Sequence, residues 1–300
     1  FSEKPEFHVI PTDTINIHID KDALLRSGIM LPKTIRHLKG EDLKDAIPDK
    51  LYIPLTDIRM LTKVDLLMLE MLANCNWERP LYLAISVGSV SKLKFDNYFV
   101  QEGLAFRFTP FDYKKWGDVG ENRLYAVDVE RLYDNVMNRY KYGGLDTPGL
   151  YLDETTLRTC WYHRRLFAQL AKELIAQGDN ERAKKVLAYA EQVIPGYNVP
   201  ETHESGSYDI ATAYAALGEK TKAVTLAVHL IAEAEDYINW AFSLKGNRIE
   251  MVRNDCIYKF WQWNQYNELL KKIDGEKYKE SNRRFEEKYA LFAPTMNYKN

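Results

Sequence analysis

The sequence is poor in cysteine, has no long apolar run and carries almost no net charge. Its three cysteines, Cys75, Cys160 and Cys256, lie far apart, which excludes a disulfide framework or a zinc knuckle and predicts buried free thiols. Glu70 interrupts the apolar run 66–73, so no segment reaches the roughly 18 to 20 apolar residues of a membrane helix. The formal charge of −2 disfavours nucleic acid and anionic lipid, because both require a concentrated basic surface. We therefore expect a water-soluble chain.

Motifs of hydrolytic, metal-dependent and nucleotide-dependent catalysis are also missing. The sequence contains no Gly-x-Ser-x-Gly, His-Glu-x-x-His or Gly-x-x-x-x-Gly-Lys pattern, and no carboxylate pair at the spacing that glycoside hydrolysis requires. The histidines have no metal-ligand spacing, and the best of them, in the segment 202–204, lacks a second ligand. We predict no catalytic residue, no metal and no cofactor. The six histidines are His8, His18, His37, His163, His203 and His229.

Residues 1–125 mix strand and helix patterns, which predicts an α+β or α/β domain with a small mixed sheet. Residues 15–19 alternate strictly between apolar and polar side chains, as in a half-buried strand. Between the predicted strand 81–87 and a predicted helix, Ser89 or Ser91 is favoured as an N-cap over an anion site. The other predicted elements are helices at 20–27, 61–76 and 90–101 and a strand at 104–108.

Three motifs in this region resemble a known family. They are a Leu-Thr-Lys-x-Asp-Leu helix at 61–66, Asn-x-Asn-Trp-x-Arg-Pro-Leu-Tyr at 74–82, and Glu-Gly-Leu-Ala-Phe-Arg at 102–107. Across residues 50–195 the chain resembles the soluble C-terminal part of a Bacteroidetes family of multi-spanning membrane proteins related to protein O-mannosyltransferases. The resemblance implies a glycosyltransferase-like membrane part before this chain and a location on the periplasmic side of the inner membrane. In that superfamily the catalytic acid lies between membrane helices, so no catalytic residue is carried over.

Residues 126–300 lose the strand pattern and are predicted to form helical hairpins. Around the predicted turns at Gly178 and Gly218, small and apolar residues recur as in tetratricopeptide repeats. The spacing from Ala183 to Ala223 is 40 residues, longer than the usual period of about 34, and the excess falls in a loop at 197–204. A third, degenerate hairpin is predicted within 249–273, with a last helix at 278–292.

The tetratricopeptide resemblance implies which side chains line the inner groove of these hairpins. They are Arg165 and Lys172 in the first repeat and Tyr208 and Thr212 in the second. Arginine and tyrosine are frequent anchors of protein interfaces, so a polypeptide or partner protein is the expected ligand. The alternative is that the N-terminal domain fills this short groove. The adjacent Arg164 is predicted to lie on a solvated helix face.

Three further side chains are candidates for binding. Arg79 and Arg107 lie beside or within predicted strands, where they bind an anionic sugar or phosphate or, as the favoured alternative, pair with a nearby carboxylate. Trp261 and Trp263 point to opposite sides of one helix, so one is expected in the core and the other partly exposed. Trp263 is taken as the candidate that stacks on a sugar, although a core contact is the default for either ring.

The sequence therefore predicts a mixed α/β domain followed by an all-α tetratricopeptide-like domain. We expect a non-catalytic, extracytoplasmic module of a membrane-embedded protein O-mannosyltransferase-like enzyme that positions an acceptor polypeptide or partner protein, with a glycan as a further candidate ligand. The alternative is a free-standing binding module that has no link to glycosylation.

Overall fold

The computed structural model describes residues 10–87, 93, 95–119, 125–244 and 248–296. The chain divides into two compact units, the first ending at Asn135 and the second beginning at Val136. The first contains small sheets and short helices, whereas the elements of the second are helices. The predicted α+β unit followed by a helical unit is confirmed, and the division falls slightly after the predicted boundary at 125.

A two-stranded sheet opens unit 1. Strand β1 (Thr14–His18) runs antiparallel to β2 (Lys50–Pro54), and Ile17 lies opposite Leu51. Ile17 is buried and Asn16 is exposed, because successive side chains of a strand point to opposite faces. The alternation in the sequence predicted this strand correctly.

The second sheet of unit 1 is mixed. Its described strands are β3 (Tyr82–Ala84), β4 (Phe99–Gln101), β5 (Ala105–Phe108) and β6 (Ala126–Val127). They are ordered β3-β5-β4-β6; β5 is antiparallel to both β3 and β4, and β6 is parallel to β4. Trp77 stacks on Phe108 at 6.4 Å between ring centroids and donates through Nε1 to the carbonyl of His18, so the core reaches both sheets.

Four α-helices complete the described part of unit 1. They are α1 (Lys21–Arg26), α2 (Gly40–Ala46), α3 (Lys63–Asn74) and α4 (Val129–Asp134). A capping box opens α3: the Thr62 hydroxyl accepts from the Asp65 N–H, and the Asp65 carboxylate accepts from the Thr62 N–H at 2.7 Å. Helix α4 passes directly into a π-helical turn, Asn135–Arg139, where the two units meet along the chain.

Two predictions for unit 1 were wrong. The sequence predicted a helix at 90–101. The described residues at the end of this segment instead form one 3₁₀ turn, Asp96–Tyr98, followed by β4. The buried residues Phe99 and Val100 belong to the sheet core, and this tertiary packing overrides their helix-like spacing. Strand β3 is shorter than predicted and lies at the sheet edge instead of being buried, with Tyr82 exposed.

Unit 2 contains three long helical hairpins. They are α5 (Glu154–Ala176) with α6 (Asn180–Val193), α7 (Ser207–Ala216) with α8 (Lys220–Ser243), and α10 (Arg253–Ile273) with α11 (Gly275–Met296); α9 (Arg248–Met251) is a single turn. The first two hairpins turn at Gly178 and Gly218, both at φ +80°, as the sequence predicted. The third hairpin was predicted within 249–273, but its two arms are α10 and α11.

Candidate binding surface on the helical unit

The loop between the first two hairpins is held in place by a buried arginine. Arg164, on α5, donates to the carbonyl oxygens of Ile194, Val199 and Pro200 and to Oγ of Ser205, at 2.5 to 3.1 Å. Burial lowers its pKa to about 10, so the guanidinium remains charged at neutral pH. The prediction of a solvated Arg164 was wrong, because the inserted loop folds over this side chain.

The end of this loop brings together two of the predicted groove residues, Arg165 and Tyr208. Arg165 Nε donates to the carbonyl of Glu204 at 2.7 Å, and the ring of Tyr208 stacks on His203 with 5.7 Å between centroids. Gly206 permits this approach: at φ +84°, an added Cβ would lie 2.8 Å from Arg165 Cγ. Arg165 is exposed and Tyr208 is half-buried, so both belong to an accessible surface.

The other two predicted groove residues lie farther along the same helices. Lys172 is exposed two turns beyond Arg165 on α5. Thr212 lies one turn beyond Tyr208 on α7 and is half-buried, and its hydroxyl donates to the carbonyl of Asp209 at 2.8 Å. The structure therefore places both residues at the periphery of the surface formed around His203.

Aromatic rings from α7 and α10 surround His203, which belongs to the loop. We call the five residues His203, Tyr208, Tyr258, Trp261 and Tyr266 the aromatic surface, although Tyr266 itself is fully buried. His203 Nδ1 lies 2.8 Å from the Tyr266 hydroxyl, and its ring meets Trp261 edge-on at 5.5 Å. Tyr258 and Trp261 stack on each other at 5.6 Å with 11° between their planes, and both remain substantially exposed. Exposed aromatic faces beside polar groups are typical of binding sites.

Charged and amide groups border the aromatic surface. Gln262 Nε2 donates to the Glu204 carboxylate at 3.0 Å, and Lys259 Nζ lies 2.9 Å from the Glu233 carboxylate. Burial would raise the pKa of Glu204, but its own backbone N–H, Lys259 and the Gln262 amide together hold that pKa below its usual value. Burial raises the pKa of Tyr208 and of Tyr266, and nearby carboxylates act in the same direction. At neutral pH this border therefore presents the ionised Glu204 beside the neutral phenols of Tyr208 and Tyr266.

Of the two tryptophans on α10, one is buried and the other is partly exposed, as the sequence predicted. The buried one is Trp263, which the sequence analysis took as the candidate for stacking on a sugar. Trp263 is 0% exposed, and its Nε1 donates to Oγ of Ser281 at 2.8 Å. Trp261 is 49% exposed and belongs to the aromatic surface. Trp263 is therefore a core residue that no ligand can reach without unfolding the hairpin, and Trp261 takes its place as the candidate.

The two arginine candidates of unit 1 differ in exposure. Arg107 is 3% exposed, donates to the Ser27 carbonyl and hydroxyl at 3.0 and 2.7 Å, and lies 3.6 Å from the Glu102 carboxylate. This is the structural pairing that the sequence favoured over a ligand site. Arg79 is exposed after the end of α3, and its backbone N–H donates to the Cys75 carbonyl at 3.4 Å.

The described residues also bear on metal binding, membrane spanning and the state of the cysteines. Among them, no three His, Cys, Asp or Glu side chains are arranged to hold a metal ion. No described helix is both long and apolar enough to cross a bilayer. All three cysteines are buried free thiols, as predicted. The predicted N-cap or anion site at 88–91 lies outside the described residues.

Sequence reasoning missed most of the aromatic surface, although one signal was present. Tyr258, Trp261 and Gln265 follow each other at helical spacing on α10, which predicts one shared face. Their meeting with His203 depends on the path of the inserted loop, which no local pattern encodes.

Comparison with known proteins gives a family match for the first part of the chain. Residues 1–130 match the family described as TMEM260-associated domain 2. The match covers less than half of the chain and ends before the helical unit. No curated protein and no solved structure matches this sequence significantly.

Proposed function

We propose that this chain is a non-catalytic, extracytoplasmic module of a membrane-embedded, protein O-mannosyltransferase-like glycosyltransferase. In this role, the helical unit holds an acceptor polypeptide or a partner protein on the periplasmic side of the membrane. Two observations support the glycosyltransferase setting. The motifs at 61–107 resemble that family, and residues 1–130 match a domain associated with TMEM260, which is linked to protein O-mannosyltransferase-like proteins.

The aromatic surface is the observation on which the binding role rests. Tyr258 and Trp261 expose large, rigid rings. Because such side chains have few rotatable bonds, they provide contact area on binding with little loss of conformational entropy. Glu204, whose carboxylate accepts from Gln262 of the same helix as these rings, and the exposed Arg165, which donates to the Glu204 carbonyl, suit the hydrogen-bonding groups of a polypeptide. Arg165 and Tyr208 are also the positions that the tetratricopeptide resemblance assigns to a ligand groove.

The carboxylates beside this surface favour binding over catalysis. Glu204 accepts from Gln262, and Glu233 is paired with Lys259. A general acid requires a raised pKa, whereas the pKa of Glu204 lies below its usual value. Glu204 therefore suits the orientation of a ligand and not proton donation.

Binding of labelled peptides to variants of the whole chain tests this proposal. The probes are short fluorescein-labelled peptides rich in serine and threonine, the hydroxyl-bearing acceptors of O-glycosylation, and the readout is fluorescence anisotropy. We expect Trp261→Ala, and separately Arg165→Ala combined with Tyr208→Ala, to weaken binding at least about tenfold. Trp240→Ala is the matched control, because Trp240 is also 49% exposed and lies on α8 outside the aromatic surface. Equal losses for Trp261→Ala and Trp240→Ala, or no peptide bound, would refute the binding role.

The second candidate function is a free-standing binder of the tetratricopeptide type that is unrelated to glycosylation. It is favoured by the fact that the family match ends before the helical unit that carries the aromatic surface. The full-length protein distinguishes the two candidates. Several membrane spans with an acidic residue in the first outward loop support the glycosyltransferase module, whereas a protein without spans supports the free-standing binder.

A further inference from the structure

A cleft separates the outer helices of the first two hairpins in unit 2. It encloses about 480 Å³ between α6, α7 and α8, which is within the usual size range of ligand sites. The long connection between the hairpins accounts for this cleft. Residues 194–206 do not lead directly from α6 into α7, because hydrogen bonds from Arg164 hold them against α5. Its inner wall is apolar and includes Leu187, Ile210 and Leu226.

Two carboxylates line the cleft, and they differ in their partners. Glu191 is fully engaged, because it accepts from the Tyr214 hydroxyl at 2.5 Å and from Lys222 Nζ at 2.8 and 2.9 Å. Glu201 also lines the cleft, and among the described residues no hydrogen bond or ion pair reaches its carboxylate. Glu201 is only partly exposed, so its charge is incompletely hydrated.

The charged side chains that line the cleft balance in number: Arg164 and Lys222 are positive, and Glu191 and Glu201 are negative. Arg164 lines the cleft too, but its donors are used by three carbonyls and a hydroxyl of the loop, and Lys222 is paired with Glu191. Burial raises the pKa of Tyr214, and the hydrogen bond to Glu191 together with the charges of Glu191, Glu201 and Glu219 raises it further. A ligand here meets an apolar wall that ends at Glu201, whose charge raises the pKa of the nearby Arg164 but whose carboxylate has no hydrogen bond or close ion pair among the described residues.

We infer that this cleft binds an arginine side chain of a polypeptide. The aliphatic stem would pack along Leu187, Ile210 and Leu226, and the guanidinium would pair with Glu201. A guanidinium suits this site better than an ammonium because it is planar, less strongly hydrated and able to donate two parallel hydrogen bonds to a carboxylate. The inference concerns residues outside the aromatic surface and does not depend on the glycosyltransferase proposal.

A titration with a capped amino acid tests the inference on the whole chain. The probe is Nα-acetyl-arginine methylamide, followed by saturation-transfer NMR, and the neutral isostere is the corresponding citrulline derivative. We expect millimolar binding of the arginine probe and at least about tenfold weaker binding of the citrulline probe, because the charged hydrogen bonds are lost. Glu201→Gln should weaken arginine binding by a similar factor and leave citrulline binding unchanged.

Three further variants locate the binding. Glu181→Gln is the matched control, since Glu181 is an exposed carboxylate on α6 that does not line the cleft. Thr225→Trp places a large side chain at the exposed edge of the cleft and should abolish binding while α8 remains folded. Trp261→Ala should have no effect, which separates this site from cation–π binding on the aromatic surface. Equal binding of the two probes, equal effects of Glu201→Gln and Glu181→Gln, or no binding at about 10 mM probe would overturn the inference.

Discussion

At the scale of single residues, His203 is the side chain on which the aromatic surface depends. Its Nδ1 lies 2.8 Å from the Tyr266 hydroxyl, and its ring stacks on Tyr208. Burial lowers the pKa of His203, and the charge of Lys259 acts in the same direction; Glu204, Asp209 and Glu233 oppose this shift incompletely. The folded protein therefore prefers the neutral imidazole.

This preference predicts a loss of stability in mild acid. In the unfolded chain a histidine takes up its proton near the ordinary pKa of 6.5, whereas folded His203 does so at lower pH. The unfolded state then binds more protons, so stability is complete above about pH 6.5 and falls as the pH drops through the folded pKa. We expect the melting temperature to be lower at pH 5.5 than at pH 7.5, and part of that difference to come from this group. His203→Gln should reduce that dependence.

Thermal melts of two variants at both pH values make the measurement. His229→Gln is the control, since His229 is exposed on α8, and it should keep the wild-type dependence. His163, whose pKa burial also lowers, contributes a remaining slope in both variants. An unchanged pH dependence in His203→Gln would contradict the prediction.

The sequence predicted the partners of single side chains only where those partners lie nearby in the chain. Arg107 on β5 pairs with Glu102 in the turn between β4 and β5, and the sequence favoured pairing with a nearby carboxylate. Arg164 was misplaced because its ligands belong to a loop some thirty to forty residues later in the chain. Helical geometry separates Trp261 from Trp263, but it does not tell which side of α10 packs against α11.

At the scale of elements, glycine determines how closely the hairpins approach each other. Gly178 and Gly218 form the two predicted turns, and an added Cβ at either would meet nothing within 4 Å. Gly206, at the start of α7, has a similar positive φ of +84°, but an added Cβ would lie 2.8 Å from Cγ and 3.2 Å from Cα of Arg165. The close approach of α7 to α5 therefore requires this glycine.

Alanine substitutions at two of these positions separate backbone strain from steric clash. Gly218→Ala adds only the cost of a left-handed alanine, about 1–2 kcal/mol. Gly206→Ala adds the clash with the α5 backbone as well, so we expect a further loss of about 1–3 kcal/mol, typical of an overpacked contact. Urea unfolding followed by tryptophan fluorescence measures both variants. Equal midpoints would show that α5 and α7 can separate without cost.

Element prediction succeeded where a start and a stop were encoded locally. Helix α3, which begins with a capping box, and the glycine turns of the first two hairpins were predicted close to their observed positions. Strand β4 carries helix-like spacing and becomes a strand only because β5 and β6 pair with it. The cleft beside α6 was not predictable, because it results from how the long loop packs and not from its length alone.

At the scale of the whole molecule, the family match and the proposed binding surface lie in different units of the chain. The matched family covers residues 1–130 and the aromatic surface lies in the helical unit. Each unit has its own buried core; in unit 2 it includes Leu170, Leu174, Leu187, Leu230 and Trp263, all at 1% exposure or less. A core of this kind indicates that the helical unit can fold by itself.

Residues 136–300 expressed alone should therefore fold and keep both proposed sites. We expect one cooperative urea transition by tryptophan fluorescence and circular dichroism, and affinities for the serine- and threonine-rich peptides and the arginine probe within about threefold of the whole chain. Residues 207–300 are the control, because they lack α6 and also α5, against which α7 packs, and they lose Arg164 and the loop that it holds. This shorter piece should unfold without cooperativity. If 136–300 behaved like 207–300, the two units would form a single cooperative structure, and binding would have to be assigned to the whole chain.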